Sequence, residues 1–339
     1  MKKLFYILFI FFGLLFPVLY LMEEKAPIPP VKEKERTSIT LSFGGDIMLD
    51  RGVKNSVNKN FNGDYSTLFK NLGILKNSDI TFANLEGPVS DKGKDMHNLY
   101  SFRMNPSVLP SIKNASFDIV SVANNHVGDW GRNAYADTLA RLRENGILYA
   151  GGGMNETEAE QPAIIEKYGI KIGYLGFSDV GPNWMSATDK DAGLLLASNP
   201  RFSEIITNAS KQVDYLIVSF HFGDEYKLKH NQRQEYLAHK AIDAGAKIII
   251  GSHPHVVEDT EVYSPKDCIQ SSCMGFITYS LGNFIFDQGF SPETMQGMLL
   301  EIKLEKDGNM SITKNIVKIN SFFQPSEIIK GVEEKVEFK

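Results

Sequence analysis

The chain has little cysteine, little tryptophan and no excess of positive charge. Lys and Arg total 36 against 41 Asp and Glu, a net charge of −5, which gives no electrostatic reason to expect nucleic-acid binding. An anionic polymer would not be held by bulk charge either, so local cations or bound metal must supply the attraction. The two cysteines, Cys268 and Cys273, frame Ile-Gln-Ser-Ser and lack the second pair that a thiolate metal site needs. Outside the cell they are expected to form a disulfide. The two tryptophans, Trp130 and Trp184, read as loop or core packing ahead of pocket walls. There is no internal repeat, and no low-complexity tract beyond one polar linker. What is abundant is apolar content, 42% over 339 residues, enough to bury a large core as one big or two ordinary domains.

Lys2-Lys3 precede the run Leu4 to Leu21, about eighteen apolar or small residues, roughly the shortest length that spans a bilayer. It ends without an Ala-x-Ala pattern or a nearby cysteine, which favours an uncleaved signal anchor over a cleaved signal. The two lysines predict a cytoplasmic N-terminus and an external body, hence a single-pass protein of the cell membrane. Residues 1–22 are thus expected as an anchor. Residues 23–37, with Pro27, Pro29, Pro30 and alternating Lys and Glu, read as a stalk. Residues 38–325 form the globular domain, and 326–339 a polar tail.

The body alternates strand and helix. Apolar runs predict strands at Ile39 to Gly45, Asp79 to Leu85, Asp118 to Asn124, Asp214 to Phe220 and Lys247 to Ile250. Helical spacing predicts a helix over Tyr65 to Lys76, with Leu68, Leu72 and Leu75 on one face, and another over Ala134 to Asn145, stopped by Gly146. Phe202 to Lys211 and Gln232 to Ala244 read as two more. Ala163 to Phe177 reads as a hairpin turning at Lys167-Tyr-Gly169. The last third turns to strands: Phe276 to Ser280, Met298 to Glu305 and Ser311 to Ile319. This is an α/β pattern in which helices cover a partly parallel sheet and a strand-rich C-terminal part packs beside it.

Histidine is scarce, yet four of the seven, His126, His221, His253 and His255, close apolar runs. Sheets of this kind place ligand-binding groups in the crevice outside their strand carboxyl ends. Asp46 follows the strand ending Phe43-Gly-Gly45, and Glu86 follows Ala83-Asn84-Leu85. Asn125-His126 ends the third strand, His221 a later one, and His253 and His255 leave the next around Pro254. A lone buried His is usually a satisfied core residue, and an Asp after Gly-Gly is usually a turn or cap. Together they form a mixed oxygen and nitrogen set suited to one or two divalent ions, Mn, Fe or Zn.

Six motifs in order carry a family resemblance: Gly44-Gly-Asp-Ile-Met-Leu49, Ala83-Asn-Leu-Glu-Gly87, Ala123-Asn-Asn-His126, His221-Phe-Gly-Asp-Glu-Tyr226, Gly251-Ser-His-Pro-His255 and Tyr279-Ser-Leu-Gly-Asn-Phe284. From about Ser38 to Asp287 the chain resembles the capsule-synthesis protein CapA family, which is related to the calcineurin-like metallophosphoesterases. The resemblance implies a four-layer α/β/β/α sandwich and a membrane-anchored component of poly-γ-glutamate capsule synthesis or export. It makes Asp46 and His255 ligands of one metal, Glu86 the bridging carboxylate, and Asn125, His221 and His253 ligands of the other. His126 resembles the histidine that protonates a leaving group. The chain departs from the metallophosphoesterase pattern at Met48, where an imidazole is expected, and at Asn84-Leu-Glu86, where an Asp is expected. Asp50 or Asn84 would then replace the missing ligand, or one ion is absent.

Further candidates surround this set. Arg51 and Arg103 read as anion clamps, because guanidinium grips carboxylate or phosphate in a bidentate way. Glu225 and Tyr226 read as substrate contacts or as the start of a helix, and Asn283 as a donor to the site or as a structural turn. Two functions of different class follow. One is a metal-dependent hydrolase or transferase acting on poly-γ-glutamate amide or a phosphoester. The other is a non-catalytic subunit that holds the anionic polymer and joins membrane capsule-synthase subunits.

Overall fold

Runs rich in β-branched and aromatic residues form two sheets. The computed structural model describes residues 36–266, 274–306 and 308–336. The larger sheet is built from β1 (Ser38–Ile47), β2 (Ile80–Leu85), β3 (Ile119–Ser121), β4 (Leu148–Ala150), β13 (Asn283–Ile285), β14 (Gln296–Glu305), β15 (Met310–Ile319), β16 (Pro325–Ile329) and β17 (Glu333–Val336). Its order is β16-β15-β14-β1-β2-β3-β4, with β13 beside β1 and β17 beside β15. The second sheet holds β6 (Ala163–Lys167), β7 (Ile170–Ser178), β9 (Tyr215–His221), β10 (Ile248–Ser252), β11 (Thr260–Tyr263) and β12 (Gly275–Thr278), in the order β11-β12-β10-β9-β7-β6. Two short strands, β5 (Gly152–Gly153) and β8 (Gly193–Leu194), pair with each other. The helices are α1 (Arg51–Phe61), α2 (Leu109–Asn114), α3 (Gly131–Glu144), α4 (Glu156–Ala159), α5 (Phe202–Ser210) and α6 (Gln232–Asp243).

The period-two alternation of side chains sorts these elements into four layers. Leu41, Phe43, Leu300 and Ile302 of the larger sheet meet Ile172, Tyr174, Ile217 and Ile250 of the second in one buried cluster, so the sheets pack face to face. On the far side of the larger sheet, Leu85, Val120 and Leu299 pack under Val57, Ile112, Leu139 and Leu142 of α1, α2 and α3. On the far side of the second, Leu216, Val218 and Ile249 pack under Phe202, Ile205, Leu237 and Ala241 of α5 and α6. The result is the α/β/β/α sandwich that the resemblance implied. Each fully buried large apolar side chain contributes about 2 kcal/mol. A core of this extent can therefore offset charged groups buried at one end of the sheets.

Both sheet centres are parallel: β1 with β2, β3 and β4, and β7 with β9, β10 and β12. Their carboxyl ends form the rim that carries the site. Backbone crowding there demands glycine at two positions. A Cβ on Gly45 would lie 1.9 Å from the Gly282 carbonyl oxygen, and one on Gly251 would lie 1.8 Å from that of Tyr279.

Several elements differ from the expectation. Tyr65 to Lys76 is two short 3-10 turns, Tyr65–Phe69 and Gly73–Asn77, because the chain breaks at Lys70 to Leu72 although Leu68, Leu72 and Leu75 are buried as the spacing required. The helix α1 carries only two buried apolar residues, Val53 and Val57, too few to show a period. The expected polar tail instead adds β16 and β17, both paired to β15. No helix among the described residues is long and apolar enough to cross a membrane. The single-pass membrane placement is therefore corrected and withdrawn. The run Leu4 to Leu21 on which it rested, the stalk up to residue 35, and the Cys268 and Cys273 pair all lie outside the described residues.

Candidate metal centre

β1 delivers Asp46, fully buried, with its N–H donating to Gly282 O at 3.0 Å. Asn84 of β2 donates from Nδ2 to Asp46 Oδ1 at 2.8 Å and lies 3.3 Å from Glu86 Oε2 and 3.4 Å from His221 Nδ1. Asn84, read from the sequence as a candidate replacement for the missing ligand, is thus the hub joining β1, β2 and β9. His221 ends β9, with Nε2 at 2.8 Å from Asn125 Oδ1 and Nδ1 at 3.1 Å from Ser252 Oγ. After β10 the turn His253-Pro254-His255 holds both histidines at positive φ, +100° and +58°. Such backbone costs about 1–3 kcal/mol per residue and persists where the surroundings over-determine it. His255 Nδ1 lies 3.0 Å from Asn283 Oδ1 and 3.4 Å from Asp46 Oδ2. Asn283 in turn donates to Thr294 O at 3.0 Å and Gln288 Oε1 at 3.1 Å, so it orients an imidazole from a fixed position.

Electrostatics makes this a receptor for positive charge. Burial, ahead of repulsion from Asp46, Glu225 and Asp129, pushes the Glu86 carboxyl well above the usual range, and His255 only partly offsets it. Burial holds His221 well below the usual imidazole range and His253 down to about 3, so both are neutral and offer lone pairs. Burial would also lower His255, but Glu86, Asp46 and Glu225 outweigh it and raise the imidazole to about 9. Glu86 Oε1 and His253 Nδ1 are buried with no hydrogen-bond partner among the described residues. Buried polar atoms left without a partner are costly, and a cation would satisfy a carboxylate oxygen together with an imidazole lone pair. One ligand atom each of Asp46, Glu86 and His221 lies within 4.8 Å of the others, and the same holds for Glu225, His253 and His255. The residues therefore fit a divalent metal.

His126 stands beside this set. Its Nδ1 is 2.7 Å from Asp129 Oδ2, its ring stacks on Phe102 at 3.8 Å, and its Nε2 lies 3.9 Å from Glu86 Oε1. Asp129 is buried and also accepts from the Phe102 N–H and from Asn98 Nδ2, both at 2.8 Å. That fixes the ring with Nε2 toward the metal ligands. Sequence reasoning missed Asp129, although it follows His126 by three residues. It also missed Asn124, which donates to Leu85 O at 2.9 Å and so ties the His126 loop to β2.

A cleft of about 190 Å³ opens over the site, lined by Arg51, Tyr100, Phe102, His126, Glu225, Tyr226, His255 and Phe290 among others. Arg51 is at its mouth but is not a free clamp: it pairs with both oxygens of Asp287, at 3.1 and 2.5 Å. The anion-clamp expectation for Arg103 is corrected, because its guanidinium lies 3.5 Å over the Trp130 ring, donates to Lys92 O and is absent from the cleft lining. Tyr226 accepts from Gln288 Nε2 at 3.1 Å and packs edge-on against Phe290. Asp50 is not at the centre. Its carboxylate accepts from the Arg103 N–H at 3.0 Å and faces Lys54.

Two parallel-centred sheets packed face to face between helices, with Asp, Glu, Asn and His gathered at the strand ends, define a four-layer α/β/β/α sandwich with a cluster of metal-ligating side chains at its rim. The family model described as bacterial capsule synthesis protein PGA_cap matches residues 40–288, and the chain belongs to that family. It is 32% identical over 308 residues to the capsule biosynthesis protein CapA of Bacillus anthracis, covering 88% of this chain and 71% of that one. It is 33% identical over 315 residues to the PGA biosynthesis protein CapA of Bacillus subtilis strain 168, covering 91% and 78%. Among solved structures, the calcineurin-like phosphoesterase YfkN of Bacillus subtilis is 12% identical with a TM-score of 0.43, covering 88% of this chain and 90% of that one.

Proposed function

We propose that this protein acts in poly-γ-glutamate capsule synthesis as a metal-dependent hydrolase or transferase. Its substrate would be the anionic polymer or a phosphoester precursor, and its partners the other capsule-synthase subunits. The relatives named for capsule and PGA biosynthesis support the setting. The observation that carries the chemistry is the pair of buried polar atoms without a hydrogen-bond partner among the described residues, Glu86 Oε1 and His253 Nδ1, beside the His126–Asp129 pair. Asp46, Glu86, Asn125, His221, His253 and His255 would hold one or two ions of Mn, Fe or Zn. Such an ion, when bound, supplies Lewis acidity to a carbonyl or phosphoryl oxygen.

The chain's own groups do the rest. Asp129 holds the His126 ring by Nδ1, which leaves Nε2 to carry a proton to the leaving group. Phe102 backs the ring and keeps water from that side. Asn84 and Asn283 fix Asp46 and His255 before substrate arrives, so the site needs little reorganisation.

His126→Ala should lower capsule production or hydrolysis about 10²- to 10⁴-fold while metal content and thermal unfolding stay unchanged. Asp129→Asn should lower it less and shift the pH profile. Normal capsule from both variants would exclude catalysis. One observation favours the non-catalytic reading: Met48, in the position where the pattern expects an imidazole, is fully buried in the helix-side core. A folded chain that retains no ion after reloading with Mn, Fe and Zn would support that reading.

A further inference from the structure

The Met48 sulfur accepts the Asp50 N–H at 3.2 Å. A thioether suits soft ions such as Cu(I) and is a poor substitute for imidazole in an oxygen and nitrogen set. If the centre is complete, another side chain must make up the loss.

Glu225 is the group positioned to do so. It leaves β9 four residues after His221, on a loop that turns at Gly223 with φ +95°. A Cβ on Gly223 would lie 2.5 Å from Gln234 Nε2, so the loop is pressed onto α6. Asp224, just before Glu225, accepts from Asn231 Nδ2 at 2.8 Å. Tyr226, just after it, has φ +64° and donates its N–H to Pro254 O at 2.9 Å. That bond ties the Glu225 loop to the His253-Pro254-His255 turn. A carboxylate oxygen of Glu225 then falls within 4.8 Å of ring nitrogens of both His253 and His255. Two independent features point to a cation there. His253 Nδ1 is buried without a hydrogen-bond partner among the described residues, and the Asn283 contact at His255 Nδ1 turns Nε2 to face Glu86 at 3.7 Å.

We infer that Glu225 is a metal ligand replacing the imidazole absent at Met48, so that Glu225, His253 and His255 hold one divalent ion and Asp46, Glu86 and His221 hold another. This rests on the metal-centre reading above. It moves Glu225 from substrate contact to ligand and explains how a chain with Met48 keeps two sites. Glu86, whose Oε1 lies near His255 and His126, stands between the two triads.

The full chain is stripped, reloaded with Mn²⁺ and measured by elemental analysis, calorimetry and Mn²⁺ electron paramagnetic resonance. Wild type should hold two ions with the spectrum of a coupled pair. Glu225→Gln should hold one, with the second weakened at least about 10-fold, and Glu225→Asp should recover part of the loss. Glu225 is exposed, so the metal-free variants should unfold at the wild-type temperature. Two ions in Glu225→Gln at wild-type affinity, or one ion in both chains, overturns the inference and leaves a metal centre standing. No ion in either chain overturns both.

Discussion

Glu258, three residues beyond His255, shows at the scale of one residue how burial near the rim is distributed. It is 3% exposed; its Oε2 accepts from Gln234 Nε2 at 2.7 Å, and its Oε1 has no partner among the described residues. Burial, with help from Asp259 and Asp224 and against the Gln234 bond, raises its carboxyl to about 7. Its folded value therefore exceeds its unfolded one. The stability it contributes is full below about pH 4.5 and is lost as pH rises through about 7. Glu258→Gln should raise the unfolding temperature by roughly 2–4 °C at pH 8 and leave it nearly unchanged at about pH 4, below the unfolded value. Equal melting of both proteins at pH 8 would refute this. Asp137 has the opposite sign. Burial raises its carboxyl, but Lys92, Ser90 and Arg141 outweigh that and bring it to about 2. Its contribution is present above about pH 3.8 and fades as pH falls through about 2.

At the scale of elements, the ends of the strands matter more than their middles. The hydrogen bond from Asp46 N–H to Gly282 O requires β1 and the chain before β13 to approach at Gly45, where a methyl group has no room. Gly45→Ala should cost at least about 2 kcal/mol and weaken metal binding, read by denaturant unfolding and calorimetry on the same sample. Wild-type stability with intact binding would show that the two backbones can separate without loss. The strands were legible because their burial follows a local period and because Gly-Gly-Asp, Asn-Asn-His and His-Pro-His close them. The 3-10 turns over Tyr65 to Asn77 were read as one helix because an i, i+4, i+7 apolar pattern is shared by both, and only backbone bonding separates them. Helix α1 was not legible because its buried face is two valines wide.

At the scale of the molecule, the C-terminal segment completes the larger sheet. β16 pairs with Ile316 to Ile319 of β15, and β17 pairs with Met310 to Thr313, so two short strands share one edge. Gln324 is 2% exposed and donates to Thr67 O at 2.9 Å, joining that edge to the first 3-10 turn. An uncovered β15 would offer a ten-residue edge for pairing with another chain. Truncation after Asn320 should therefore lower the unfolding temperature and produce higher oligomers. Size-exclusion chromatography and a thermal melt check both, and a stable monomer would show that β16 and β17 are dispensable.

The amino-acid sequence by itself determined the alternating layers, the strand ends, and the presence there of Asp46, Glu86, Asn125, His126, His221, His253 and His255. These depend on local periodicity and on residues adjacent in the chain. Tertiary structure alone decided how polar groups pair. Arg51 found Asp287 at a separation of 236 residues, Arg103 turned to Trp130, and Asn84 became the hub between sheets. A sequence fixes what each side chain can donate or accept. Which partner it meets is set by how loops from distant strands converge, and burial at that meeting point then sets its charge.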